Sequence, residues 1–142
     1  TLKHMNTIKK GVKMKTIHEI PDLSNINVQV ANIYSHVVRA ENLLYISGQA
    51  GVDYNSGELV GDDFESQARQ SFKNLSTLLE NCGSNMSKVV KTTVWLCDAN
   101  NFAKLNELFV EFFPNNPPAR SAPIVGMPIK GIHISIECIA LV

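Results

Sequence analysis

The stretch that most constrains the fold is the end of the chain, where apolar and polar residues alternate. Apolar residues occupy every second position there: Ile132, Ile134, Ile136, Cys138 and Ala140. The intervening positions begin with His133, Ser135 and Glu137 and continue with Ile139 and Leu141. Because successive side chains of a strand point to opposite faces, this alternation predicts a strand with one apolar face and one half-apolar face.

The half-apolar face of the predicted sheet indicates contact with another subunit. Trp95 lies in another predicted strand, residues 89–97, which also carries apolar residues on both sides. We expect the isoleucine face to lie under helices and the second face to be covered by another chain, since large exposed apolar patches are rare on monomers. The sequence therefore predicts an oligomer whose subunits pack through their sheets.

Two segments have the periodicity of amphipathic helices. In the first, apolar residues recur at intervals of four, four, three and four: Phe64, Ala68, Phe72, Leu75 and Leu79. Its predicted N-cap is Asp62 or Asp63, and Gly83 is its predicted end. In the second, the apolar side comprises Phe102, Leu105, Leu108, Phe109 and Phe112. Asn100 or Asn101 is the predicted N-cap of this second helix, and several prolines follow it.

The remaining patterned segments are predicted strands. Residues 36–40 and 43–48 form a hairpin joined at Glu41 and Asn42, and residues 121–127 form a later strand. A turn at residues 128–131 leads into the last strand. The resulting order is strand, strand, helix, strand, helix, strand, strand, which is an α+β arrangement with both helices on one face of a sheet.

The domain organisation follows from length and composition. A chain of 142 residues without internal repeats or low-complexity tracts is expected to form one domain. We assign this domain to residues 16–142. Residues 1–15 lack a periodic apolar pattern, so we expect a disordered or artificial N-terminal extension there.

Charge and composition exclude several classes of partner. Five lysines precede the first acidic residue, Glu19, and the chain from there on carries eight basic and thirteen acidic residues. Such an acidic body argues against nucleic acid, which favours a basic surface. No apolar stretch approaches the length of a membrane span. The three cysteines, Cys82, Cys97 and Cys138, are odd in number and widely spaced, which favours free thiols in a reducing compartment, the cytoplasm.

Motifs for nucleotide binding, serine hydrolases and zinc proteases are missing from the sequence, and its four histidines, His4, His18, His36 and His133, show no ligand spacing. We therefore expect neither a metal nor a cofactor. Two charged residues remain as tools for catalysis, Arg120 within PPARSAPIVGMP and Glu137 on the last strand. An arginine can hold a carboxylate through two parallel hydrogen bonds, and a carboxylate can orient or deprotonate water. A salt bridge between the two residues is equally compatible with their types.

Four stretches resemble one known family in order and spacing: YSHVVRAENLLYISGQ (34–49), VVKTTVWLCDANNFAKLNELF (89–109), FFPNNPPARS (112–121) and ISIECIA (134–140). The resemblance is to the YjgF/Rid family of reactive-intermediate (imine) deaminases. It implies a chorismate-mutase-like α+β fold with a mixed sheet, two helices on one face and assembly as a homotrimer with clefts between subunits. It also implies a 2-imino acid as the small-molecule substrate, hydrolysed to a 2-oxo acid and ammonia without a cofactor.

The resemblance further implies roles for individual residues. Arg120 matches the arginine that binds the substrate carboxylate, and Glu137 matches the acid near the attacking water. Three residues match the cleft, namely Tyr34 at its wall and Ser47 and Gly48 in a ligand-binding loop. The other two positions are Asn106, which matches a supporting asparagine, and Ala122, which stands where the family often has Cys or Thr. Because Pro123 follows it, Ala122 could contact a ligand only through its backbone carbonyl.

Two other functions remain open at this point. One is a more specialised enamine deaminase that resembles 2-aminomuconate deaminases. The other is a non-catalytic module that binds small 2-oxo acids, or an RNA-acting surface of the kind also ascribed to the family. The acidic body of the chain argues against the RNA-acting alternative.

Overall fold

A computed structural model describes residues 15–18 and 33–142. Within these residues the chain forms six strands: β1 (Thr16–His18), β2 (Val37–Ala40), β3 (Leu43–Ala50), β4 (Val89–Leu96), β5 (Ala119–Ser121) and β6 (Ile134–Leu141). It also forms two α-helices: α1 (Phe64–Asn81) and α2 (Phe102–Phe112). The predicted order of helices and strands is confirmed from β2 onward, and the additional strand β1 precedes it. The expected extension of residues 1–15 lies outside the described residues, apart from Lys15.

The six strands form one mixed sheet in the order β1-β2-β3-β6-β4-β5. All neighbouring pairs are antiparallel except β4 and β5, which are parallel. The last strand of the chain, β6, therefore lies in the interior of the sheet between β3 and β4. No sequence pattern predicts β1, because three residues are too few to show an alternation.

Both helices lie on one face of the sheet, as predicted. The residues of β6 that face them are almost fully buried: Ile134, Ile136, Cys138 and Ala140. Helix α1 packs over β3 and β6, and Phe72 of α1 stacks on Phe112 of α2 with ring centroids 4.5 Å apart. The hydrophobic core therefore lies between the sheet and the helix pair. Burial of these apolar side chains is the main contribution to the stability of the fold.

The helix ends agree with the predictions only in part. The side chain of Asp63 accepts a hydrogen bond of 2.8 Å from the backbone N–H of Ser66, and Gly83 follows α1 with a positive φ of 77°. Asn101 is the N-cap residue of α2, as predicted, but its side chain makes no capping hydrogen bond. A short 3-10 turn precedes α2, and Asp98 caps that turn by accepting from the N–H of Asn100.

The bounds predicted for the strand at residues 121–127 are wrong. The observed strand, β5, begins at Ala119 and already ends at Ser121. Pro123 has no N–H to donate to a sheet ladder, so regular pairing stops there. Two hydrogen bonds to Leu96 continue the contact irregularly: the Leu96 N–H donates to the Pro123 carbonyl and the Val125 N–H donates to the Leu96 carbonyl. The segment after β5 therefore follows the sheet edge without forming a strand.

The second sheet face, which we call the open face, is half apolar as expected. Tyr45 and Leu141 are 44% and 46% exposed there, and Trp95 and Ile139 are half-buried. All three cysteines are free thiols, two of them buried. Within the described part of the chain, neither helix is long and apolar enough to cross a membrane.

Candidate functional site

Arg120 lies on the helix-covered side of the sheet. In the parallel pairing of β4 with β5 its partner is Thr92, whose side chain is fully buried under the helices. The guanidinium carbon Cζ lies 4.8 Å from the ring centroid of Phe109 and 5.5 Å from that of Phe102, both on α2. A guanidinium over an aromatic face gains cation–π attraction while its N–H edges stay available. Phe102 is 44% exposed and lies outside the core, although its spacing placed it on the apolar side of α2.

Arg120 lies in a groove beside α2. The groove has a volume of about 360 Å³ and is lined by Asn106, Phe109, Val110, Phe113, Pro117, Pro118 and Arg120 itself. Among the described residues the Arg120 guanidinium makes no hydrogen bond and no ion pair, so its donors are not already used. The groove thus joins two of the sequence-predicted residues, Arg120 and Asn106.

Glu137 lies on the open face, opposite to Arg120. Its partner on β4 is Thr93, the neighbour of Thr92, and adjacent residues of a strand point to opposite faces. A depression of about 370 Å³ on this face is lined by Glu137, Ser47, Lys91 and Tyr45 among others. The suggested salt bridge between Arg120 and Glu137 is therefore wrong for a single chain, because the sheet separates the two side chains.

Tyr34 and Gly48 line a third concavity, which we call the Tyr34 cavity. Its volume is about 410 Å³, and polar groups of Tyr34, His36 and Ser135 lie beside an apolar wall made by Val52, Leu59, Met127, Pro128, Ile129 and Ile132. The rings of Tyr34 and His36 meet edge to face with centroids 5.8 Å apart. The cavity combines a few polar groups with a mainly apolar lining, as small-molecule sites usually do.

Ser47 does not belong to the Tyr34 cavity, although Gly48 beside it does. Its hydroxyl donates a hydrogen bond of 2.6 Å to the Ser35 carbonyl, and its side chain borders the Glu137 depression. The bulge between Ile46 and Gln49 in the pairing of β3 with β6 leaves both residues on the open face, where Ser47 borders Glu137 and Gly48 borders Ser135. Ala122 lines none of these three concavities.

Burial changes the pKa of two groups next to these concavities. It raises the pKa of the Tyr54 hydroxyl, which donates a hydrogen bond to Oε1 of Gln49, and the nearby Tyr34 adds to this effect. Burial also raises the pKa of the Cys138 thiol to about 12, with a further contribution from the negative charge of Glu137. A thiol that stays protonated is a poor nucleophile, which argues against a catalytic role of Cys138.

Sequence patterns missed two features of the site. One is the aromatic support of Arg120 by Phe109. No sequence pattern shows the parallel pairing of β5 with β4 that brings Arg120 to this ring. The other is Ser135, which lies in the Tyr34 cavity and was signalled only by its place on the polar side of β6. No three His, Cys, Asp or Glu side chains of the described residues are grouped so that they could hold a metal ion.

The chain is similar to several known proteins. The family model described as Endoribonuclease L-PSP matches residues 25–142. A RutC family protein of Pyrococcus horikoshii is 42% identical over 107 residues, which are 75% of this chain and 85% of the relative. The human protein named 2-iminobutanoate/2-iminopropanoate deaminase is 42% identical over 108 residues, which are 76% of this chain and 79% of that protein.

Solved structures show the same fold. The crystal structure of RidA from the Antarctic bacterium Psychrobacter sp. has a TM-score of 0.74 at 39% identity, covering 79% of this chain and 90% of that one. A Rid family protein from Yersinia pestis has a TM-score of 0.82 at 32% identity, covering 91% of this chain and 100% of that one. The resemblance read from the sequence motifs is confirmed, and the chain belongs to the Endoribonuclease L-PSP family, the YjgF/RutC family of Rid proteins.

Proposed function

We propose that this protein is an imine deaminase that hydrolyses reactive 2-imino acids to 2-oxo acids and ammonia. Relatives about 42% identical to this chain carry the name 2-iminobutanoate/2-iminopropanoate deaminase. The observation that carries the proposal in this chain is the Arg120 guanidinium, held over Phe109 in a groove with its hydrogen-bond donors unused within the described residues. Such a group matches the carboxylate that every 2-imino acid contains.

Arg120 binds and orients the substrate in this proposal. Two parallel N–H donors grip the two carboxylate oxygens, and the Phe109 ring below fixes the plane of the guanidinium. The orientation matters because the imine carbon is already electrophilic, so that the main requirement is to hold it next to a water molecule. Holding two reactants in position can contribute several kcal/mol, about 7 or more in favourable cases.

Glu137 assists the water in the proposed reaction. The water oxygen forms a bond to the imine carbon while the carboxylate accepts one of the water protons. That proton is delivered to the imine nitrogen, which gives a carbinolamine. The hydroxyl proton of the carbinolamine then passes through the Glu137 carboxylate to the amino nitrogen, the carbon–nitrogen bond breaks, and ammonia leaves as the carbonyl of the 2-oxo acid forms. No electrons are gained or lost overall, so the reaction calls for no redox partner.

Two subunits are required to assemble this site. Arg120 and Glu137 lie on opposite faces of one sheet, so a small substrate cannot contact both residues of the same chain. We infer a homotrimer in which the Arg120 groove of one subunit faces the Tyr34 and Glu137 side of its neighbour. The partly exposed Tyr45, Leu141, Trp95 and Ile139 of the open face support this assembly, because subunit contact would remove them from water.

The proposal also covers the cellular compartment and the choice between RNA and a small molecule as substrate. The free thiols support a reducing compartment, and we infer the cytoplasm. The family description names an endoribonuclease, but the chain from residue 19 onward carries five more acidic than basic residues. This charge disfavours RNA, and we therefore infer a small molecule as the substrate.

The proposal is tested with an imine generated in the assay. A pyridoxal-phosphate dehydratase releases 2-iminobutanoate from threonine, and semicarbazide traps whatever imine has not yet been hydrolysed. We expect this protein to lower the trapped fraction and to speed up 2-oxobutanoate release. Arg120→Ala should abolish the effect, whereas Arg69→Ala, a surface arginine paired with Glu65 and Glu111, should retain it. An unchanged trapped fraction with the wild-type protein would rule out the proposed function.

A further inference from the structure

Ser135 occupies an unusual position in the Tyr34 cavity. It lies on β6 opposite Trp95 of β4 and Ala50 of β3, and its side chain points to the open face. Its hydroxyl stands directly against Gly48, since a Cβ atom built on Gly48 would lie 2.6 Å from Ser135 Oγ. Glycine at position 48 is thus what gives the Ser135 hydroxyl its place in the cavity.

The Ser135 hydroxyl is free to bind a ligand. Within the described part of the chain it makes no hydrogen bond, although a serine hydroxyl can donate one and accept two. Another polar group of the cavity lining, the Gln49 amide, is already engaged, because its Nε2 donates to the Ser47 carbonyl at 2.9 Å and its Oε1 accepts from the Tyr54 hydroxyl. Ser135 therefore offers a hydrogen-bonding side chain that the protein does not use for its own structure.

Glu137 does not take this place. It is two residues further along β6, about 7 Å away by strand geometry, and it lines the separate Glu137 depression. A substrate that enters the Tyr34 cavity therefore meets a neutral hydroxyl beside Gly48 before it reaches a carboxylate.

We infer that Ser135 is a further substrate-binding residue of the imine deaminase, whose hydroxyl hydrogen-bonds the substrate beside Gly48 in the Tyr34 cavity. This inference rests on the proposed function for the identity of the substrate. The hydroxyl hydrogen-bonds the imine nitrogen, which is the other polar group of a 2-imino acid when Arg120 holds the carboxylate, so that each subunit holds one polar group of the substrate. Its loss is expected to loosen the substrate without unfolding the protein.

The test compares Ser135→Ala with Ser135→Thr, which keeps the hydroxyl. For Ser135→Ala we expect kcat/KM for 2-iminobutanoate to fall about tenfold and the affinity for the product 2-oxobutanoate to weaken by a similar factor, as for one lost hydrogen bond to a ligand. Ser135→Thr should retain most of both, and the melting temperature of each variant should stay near the wild-type value. Ser76→Ala on the surface of α1 is the matched control and should change nothing.

A pair of variants separates packing from binding. Gly48→Ala alone should destabilise the protein, since its Cβ would come within 2.6 Å of Ser135 Oγ. Gly48→Ala with Ser135→Ala should recover the melting temperature, because the remaining Cβ–Cβ distance of 3.9 Å is an ordinary contact, but it should not recover product affinity. Recovery of both would show that the hydroxyl only fills space, and would overturn the inference.

The remaining outcomes distinguish the role of Ser135 from the proposed deaminase function. Wild-type kcat/KM and wild-type 2-oxobutanoate affinity in Ser135→Ala would overturn the role of Ser135 and leave the proposed function intact. A wild-type protein without deaminase activity would overturn the proposed function instead. In that case the binding of 2-oxobutanoate to wild type and Ser135→Ala still tests Ser135, and equal affinities would count against it.

Discussion

Arg120 and Glu137 extend from opposite faces of the same sheet, because their strand partners on β4, Thr92 and Thr93, are consecutive residues. The Arg120 side lies under α2, and the Glu137 side is the open face. Two groups that act on one small substrate can be arranged this way only when neighbouring copies of the chain supply one each. The proposed division of the site between subunits can be tested directly.

Mixed oligomers should regain activity that neither parent has. Arg120→Ala and Glu137→Gln are each expected to be inactive, since each removes one half of every site. When the two are unfolded together and refolded as random mixtures, about a quarter of the sites should receive the wild-type residue from both neighbours. We therefore expect about a quarter of the wild-type rate of imine hydrolysis.

The control for this experiment is the double variant Arg120→Ala with Glu137→Gln, refolded together with Arg120→Ala. No site in that mixture contains the arginine, so it should remain inactive. If the mixture of single variants were as inactive as this control, both residues would have to act from the same chain, and the division of the site would be wrong.

Arg120→Lys should be nearly as damaging as Arg120→Ala. Lysine keeps the positive charge, but it presents a point ammonium that cannot form two parallel hydrogen bonds or lie flat on Phe109. A misplacement of the imine by about 1 Å can cost about a hundredfold in rate. The measurement is kcat/KM for 2-iminobutanoate together with 2-oxobutanoate affinity, on variants whose oligomeric state is unchanged by light scattering. Wild-type kcat/KM in Arg120→Lys would mean that only the charge matters.

The sequence predicts the parts of this protein that depend on local periodicity. The alternation in β6 and the four-and-three spacing in α1 arise from burial of one face, so they can be read without knowledge of the neighbouring elements. The face on which Arg120 lies could not be read in this way. It depends on the parallel register of β5 with β4, which is fixed by tertiary packing and not by the sequence of either strand.

The placement of Ser47 and Gly48 on one face has a similar origin. Regular alternation would point these neighbours to opposite faces, whereas the bulge between Ile46 and Gln49 leaves both on the open face, Ser47 beside Glu137 and Gly48 beside Ser135. A bulge of this kind inserts a residue that has no partner on the opposite strand, so a regular alternation cannot reveal it. For the same reason the contact of Gly48 with Ser135 is visible only in the folded chain.

The stability of the protein should fall in alkaline solution partly because of Cys138. Its thiol is 3% exposed, and burial raises its pKa from 9.0 to about 12. Below about pH 9 the thiol is protonated in both the folded and the unfolded state. Between about pH 9 and pH 12 only the unfolded state ionises, so rising pH favours unfolding.

We expect this single group to lower the free energy of unfolding by about 1 to 2 kcal/mol at about pH 10.5 relative to about pH 8. The measurement is urea unfolding at both pH values for the wild type and for Cys138→Ala. The variant should lose less stability than the wild type between the two conditions. An equal loss in both proteins would assign the alkaline effect to other groups.

Gln67 is a fully buried residue of α1 that connects the helix by hydrogen bonds to the segment lining the Tyr34 cavity. Its Nε2 donates to the carbonyls of Gly61 and Gly131, at 2.8 and 2.9 Å, and its Oε1 accepts from the N–H of His133 at 2.9 Å. Gln67→Leu keeps the size of the side chain but leaves these three backbone groups without their partner. Since each unsatisfied buried group costs about 1 to 3 kcal/mol, we expect a loss of at least about 2 kcal/mol in urea unfolding. Gln70→Leu, which removes one side-chain hydrogen bond on the same helix, is the matched control and should cost less than about half as much. Equal losses in the two variants would mean that the segment before β6 is held by packing alone.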